Sequence, residues 1–288
     1  MALLIEKYNN FYKWAESVSD PRVHDWSFIP SPIPTYSLCV LYLLFACKLG
    51  PMFMKNRDAF QPKWTLVIYN AILTALNLHI FIELLFGMIN AKYSWPCQPV
   101  RTDNDPTELR IAAALWWYFV SKLIEFLDTV FFILRKKNNQ LTFLHIYHHS
   151  TMPMIWWICV KWVPGGSSVH GAVLNAFVHV VMYFYYGMAA LGPQYQKYLW
   201  WKKYLTQIQL VQFTIALILG SYVLYLDCDY PKFISWIVIL YMISFLFLFG
   251  NFYRKAYLTS SKKEKSHSEE HQVVTQRRSV RLRANISN

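Results

Sequence analysis

Three imidazoles fall within five residues of the segment Gln140-Leu-Thr-Phe-Leu-His145-Ile-Tyr-His148-His149. On a helix His145 shares a face with both His148 and His149, because residues three and four apart lie one above the other. One histidine in an apolar helix is explained by a single interhelical hydrogen bond; a cluster of three is not. Imidazole is a nucleophile and a general base near neutral pH, and it also binds zinc. Further polar sets recur at helical spacing. Lys122, Glu125, Asp128 and Thr129 form one, Asn175, His179 and Tyr183 a second, and Thr206, Gln209 and Gln212 a third. Lys122 and Glu125 are placed to neutralise each other.

These polar groups sit in a chain built for lipid. Of its 288 residues 55% are hydrophobic and only 15% charged, against about 25% charged in an average soluble domain. Seven apolar stretches, at 33–50, 64–88, 111–134, 141–161, 168–190, 204–226 and 232–253, predict seven transmembrane helices, the first being the shortest. Most reach the ~20 residues that cross the hydrocarbon core, where only helices or closed barrels satisfy their own backbone. The expected organisation is a lumenal N-terminal segment (1–32), an all-α membrane domain (33–255) and a basic, disordered cytosolic tail (256–288).

The net charge of +12 is carried in short clusters between the apolar runs. That distribution orients a membrane protein and argues against nucleic-acid binding. Most of the 28 Lys and Arg residues fall on the side of the C-terminus, Arg135, Lys136, Lys202 and Lys203 among them. The N-terminus is therefore expected in the lumen and the tail in the cytosol. All four polar sets then converge in the cytosolic half of the membrane, above lumenal halves that read as almost wholly apolar. A polar pocket over an apolar sleeve suits an amphiphile with a cytosolic head group and a long acyl chain. Of five cysteines, Cys97 and Cys228 lie in loops assigned to the oxidising lumen and are expected to pair.

Three chemistries fit this layout. Histidine boxes of the His-x-x-His-His kind serve membrane di-iron oxygenases, but such sites need more imidazoles than His145, His148, His149 and His179 supply. His24, His79, His170, His267 and His271 lie at the wrong depth or in the tail. One zinc on four imidazoles is still allowed. Acyl transfer through a shielded acyl-imidazole is the second chemistry. A seven-helix transporter or receptor is the third, since half-buried charges also mark transport routes; it lacks an internal repeat or paired broken spans.

The motifs Lys122-x-x-Glu125-x-x-Asp128-Thr129, Gln140 through His149, Asn175-x-x-x-His179-x-x-Met182-Tyr183 and Thr206-x-x-Gln209-x-x-Gln212, in this order, resemble the very-long-chain fatty acid elongases of animals. The resemblance runs from about residue 25 to 257. The runs "IAAALWWYFVSK" and "VFFILRKKNNQ" are most similar to the type-four branch, with types two and five near. It implies a seven-helix bundle whose last six helices ring a narrow acyl tunnel. It also implies 3-oxoacyl-CoA synthesis from acyl-CoA and malonyl-CoA in the endoplasmic reticulum, by ping-pong acyl transfer without a metal or other cofactor. His148 matches the acyl-accepting histidine and His179 the second histidine at the reacting centre. His145, His149, Asn175 and Gln209 take supporting roles, and Lys202 and Lys203 could receive CoA phosphates. The implied partners are membrane lipid and the ketoacyl-CoA reductase, hydroxyacyl-CoA dehydratase and enoyl-CoA reductase of the cycle, with homo-oligomers possible.

Overall fold

The computed structural model of the protein describes residues 2–259, and these are helical with no strand among them. Helix α1 spans Ala2–Ser17, α2 Pro32–Met54 with a π-turn at Phe45–Leu49, and α3 Lys63–Asn90. Helices α4 (Pro106–Ile124) and α5 (Phe126–Leu134) follow each other through a break at Glu125. Then come α6 (Phe143–Trp162), α7 (Ser168–Leu191), α8 (Lys202–Tyr225) and α9 (Lys232–Tyr253). The starts follow from local chemistry. Ser31 and Asp105 cap α2 and α4 ahead of a proline, and Thr142 caps α6 by accepting from the His145 amide.

Packing closes a circuit. Helix α3 lies against α4, the α4 helix against α6, α6 against α9, α9 against α8, α8 against α7, and α7 back against α3. Helix α2 stands outside this ring on α6. The outer face is apolar and exposed, as at Ile68, Ile72, Phe86, Ile218, Leu240 and Phe247, whereas Lys122, Glu125, His149, His179 and Gln212 are buried inside. This inside-out distribution marks an integral membrane protein, whose solvent is lipid.

Among the described residues five helical segments are long and apolar enough to cross a membrane, namely Pro32–Met54, Lys63–Asn90, Ser168–Leu191, Lys202–Tyr225 and Lys232–Thr259. The stretches at 111–134 and 141–161 form helices but miss that standard, because the polar residues of the site are drawn from them. The first span, expected to be the shortest, is so among these five at 23 residues; it runs on past Lys48 and Gly50-Pro51 because the helix continues through a π-turn. The N-terminal segment contains α1, which docks at the end of α6. Lys161 Nζ lies 2.8 Å from Glu16 Oε2, and Trp162 Nε1 donates to the Ala15 carbonyl at 2.8 Å. Most of the tail expected at 256–288 lies outside the described residues.

A disulfide joins Cys97 to Cys228 with Cα atoms 5.8 Å apart, tying the α3–α4 loop to the α8–α9 loop across 131 residues. It lies at the same end of the ring as α1, here called the disulfide end. Loop closure over so long a separation stabilises by about 2–5 kcal/mol. Cys97→Ser should therefore lower the thermal midpoint in detergent, and reduction of the native protein should lower it equally. Unchanged midpoints in both cases would show that the two loops are held by other contacts alone.

Candidate active site

Helices α4, α6 and α7 bring the buried ionisable groups to one place. Lys122 Nζ donates to Glu125 Oε1 at 2.7 Å, the i,i+3 spacing placing both on the inner face of α4. His179 on α7 completes a triad, with Nδ1 at 3.2 Å from both Glu125 Oε1 and Lys122 Nζ. His179 Nδ1 either donates to the Glu125 carboxylate or accepts from the Lys122 ammonium, according to its tautomer. With Nδ1–H on Glu125, Nε2 carries the free lone pair. The Lys122 ammonium also lies 4.5 Å from the centre of the Tyr118 ring, a cation–π contact. The Tyr118 hydroxyl donates to Asn175 Oδ1, whose amide reaches Gln212 Oε1 at 3.5 Å.

The four histidines differ in what holds them. His145 Nε2 is bonded to Thr129 Oγ1 at 2.7 Å. His149 is buried with its ring 4.3 Å from that of His145 and 5.0 Å from that of His148. His179 belongs to the triad. His148 Nδ1 is buried without a hydrogen-bond partner among the described residues, and of these four only His148 lines the cavity inside the ring. Its ring centre is 6.5 Å from that of His179. Pro153, inside α6, cannot donate to the His149 carbonyl four residues earlier, which loosens the helix one turn from the cluster.

The cavity runs from His148 toward the disulfide end between α6, α7, α8 and α9. Its walls are chiefly apolar, with Met152, Trp156, Phe213, Leu219, Val238 and Phe245 among them. From His148 to Cys159, which also lines it, α6 covers eleven residues, or about 17 Å at ~1.5 Å per residue.

Other expected residues are placed differently. Asp128 is turned away from Lys122 by the break at Glu125 and accepts from the Tyr183 hydroxyl at 2.8 Å. Gln212 reaches the centre, whereas Gln209 Nε2 lies 3.7 Å from Met182 Sδ and Thr206 3.4 Å from the Tyr257 hydroxyl. Gln140 is exposed in the α5–α6 loop, outside the cluster, because α6 begins only at Phe143. Lys202 and Lys203 are exposed at the start of α8. Tyr118 and the aromatic wall of α9 went unmarked in the sequence, being indistinguishable there from other membrane aromatics.

Glu125, His148 and His179 offer three ligand atoms within 4.8 Å of one another, the one such group that could hold a metal among the described residues. The Lys122 ammonium, 2.7 Å from Glu125, already supplies the positive charge that a cation would bring.

Known proteins resemble this chain over most of its length. Residues 27–265 match the model of the ELO: GNS1/SUR4 family. The chain is 56% identical over 252 residues to very long chain fatty acid elongase 4 of Homo sapiens, covering 88% of this chain and 80% of that one. With elongase 4 of Mus musculus it shares 56% over 247 residues, covering 86% and 79%. With very long chain fatty acid elongase 5 of Rattus norvegicus it shares 47% over 252 residues, covering 88% and 82%.

Proposed function

Because the chain belongs to the ELO: GNS1/SUR4 family of fatty acid elongases, we propose that it condenses a very-long-chain acyl-CoA with malonyl-CoA through an acyl group carried on His148. The observation that carries this reading is His148 itself, a half-buried imidazole whose Nδ1 is buried and finds no partner among the described residues, at the head of an apolar cavity. His148 attacks the thioester carbonyl; the C–S bond breaks, and the imidazole proton passes to the CoA thiolate. Malonyl-CoA then loses CO₂, and the carbanion left at its C2 attacks the acyl carbon. The acyl C–N bond breaks, the imidazole recovers a proton, and 3-oxoacyl-CoA is released. Burial shields the acyl-imidazole from water.

The positive group beside the reacting centre is Lys122, held by Glu125. An ammonium in a water-poor site stabilises an oxyanion or enolate more strongly than it would in water. His179, oriented by Glu125, supplies a lone pair for proton movement. No step uses a metal. The disulfide end faces the lumen in this reading, because a Cys97–Cys228 bond persists in an oxidising compartment; Lys202 and Lys203 then face the cytosol, where CoA esters are found. Similarity to the type-four and type-five relatives supports very long acyl chains as substrates.

The test is the purified full chain with acyl-CoA, labelled malonyl-CoA and a strong chelator. The expected product is a 3-oxoacyl-CoA two carbons longer, at a rate the chelator leaves unchanged. Absence of product from any chain length would overturn the condensation. Loss of rate to the chelator, restored by one metal, would overturn the metal-free mechanism.

A further inference from the structure

His170 opens α7 at the disulfide end of the cavity and is only 1% exposed. Neither ring nitrogen has a hydrogen-bond partner among the described residues; the Ser167 backbone lies near the ring but outside bonding geometry. Trp95 holds the imidazole edge-on, with ring centres 4.2 Å apart. Tyr230, in the α8–α9 loop, is buried, and its hydroxyl is likewise without a partner although Ser168 is close. His170, Tyr230, Ser168 and Ser235 all line the same cavity as His148. The wall that reads in the sequence as almost wholly apolar is therefore polar at its far end.

An unmade hydrogen bond on a buried group carries the full cost of removing that group from water, so two such groups at the tip of one cavity point to a ligand atom. We infer that the far end of the cavity is a subsite for a terminal hydroxyl on the acyl chain, held by His170 and Tyr230. A neutral imidazole offers one N–H donor and one acceptor, and a phenol can do either. Together they match a hydroxyl, which both donates and accepts. A terminal carboxylate does not fit, because no Lys or Arg among the described residues lines the cavity. Burial pushes the Tyr230 hydroxyl well above its usual range, so it stays a neutral donor. Along α7, His170 is nine residues from His179, or about 14 Å at ~1.5 Å per residue, and the His179 ring lies 6.5 Å from that of the acyl-accepting His148. That span is shorter than an extended very-long-chain acyl group, so preference for the hydroxyl is tied to a window at the short end of the chain-length ladder.

This inference rests on the acyl-tunnel reading above, and its test separates the two. Condensation is measured on a ladder of plain and ω-hydroxy acyl-CoAs with the native full chain, as the ratio of kcat/KM for hydroxy over plain at each length. The ratio should peak within a narrow window of lengths. His170→Leu should flatten that peak by about tenfold, the discrimination that a polar site holds over an unpaired partner being at least of this order. Tyr230→Phe, which removes one oxygen atom and leaves the ring, should lower it by a smaller factor. An intact Cys97–Cys228 bond and a monodisperse elution profile identify folded variants. A ratio that is low and flat across all lengths in the native protein, or a peak that survives both substitutions, overturns the subsite and assigns His170 and Tyr230 to bound water. If the native protein elongates neither series, the tunnel reading itself falls and the subsite with it.

Discussion

His148→Ala should abolish condensation, lowering kcat by at least ~10³-fold, the scale seen when an enzyme loses its nucleophile but keeps its electrostatics and binding. The reason is the division of labour among the histidines. His145 is bonded to Thr129, and His179 is bonded within the Lys122–Glu125 pair. His149 is packed between two imidazole rings. Replacing any of these disturbs how His148 is held, whereas replacing His148 removes the atom that carries the acyl group. The cavity at this position leaves room for alanine, so the variant should fold, insert and keep its thermal midpoint within a small interval of the native value. A second measurement separates chemistry from binding. With acyl-CoA alone, the native protein should release one CoA per chain and gain the mass of one acyl group on His148. The variant should do neither. Near-normal turnover in His148→Ala, or an acyl adduct mapped to another residue, would remove the acyl-histidine from the mechanism.

The all-helical fold was legible because a bilayer leaves little choice. Long apolar runs must be helices there, and polar residues inside them stand out against a uniform background. The cluster of Lys122, Glu125, His148 and His179 was readable for the same reason. Its connections were less so. Spacing put Asp128 on the face of Lys122, but the helix breaks at Glu125 and sends Asp128 to Tyr183, an irregularity that periodicity does not encode. Gln140 belongs to the same motif as the histidines, yet the capping of α6 by Thr142 leaves it outside. His170 was set aside on depth alone. Distance from a span's end does place it away from the histidine cluster, but only the folded chain sets Trp95 against it and brings it to the same cavity as Tyr230 and His148.

Lys122→Met should cost about 3–5 kcal/mol of stability, the usual consequence of removing one partner from a buried ion pair. Lys122 and Glu125 are each 1% exposed, so water cannot solvate the carboxylate left behind. His179 could answer only by taking a proton itself, and it would then lose the free lone pair it holds in the native triad. Methionine matches the lysine stem in length and keeps its packing against Tyr118, so volume does not account for the loss. Thermal unfolding in detergent should show a midpoint well below that of the native chain, together with lost turnover. The double variant Lys122→Met/Glu125→Gln removes both charges, and replacing a buried pair by neutral groups is often close to neutral for stability. It should regain most of the midpoint and none of the turnover, since the ammonium and the carboxylate that orients His179 are both gone. A double variant that stays as unstable as the single one would show that Lys122 acts through packing. A double variant that regains turnover would take the ion pair out of the chemistry and leave it as a strut between α4 and α7.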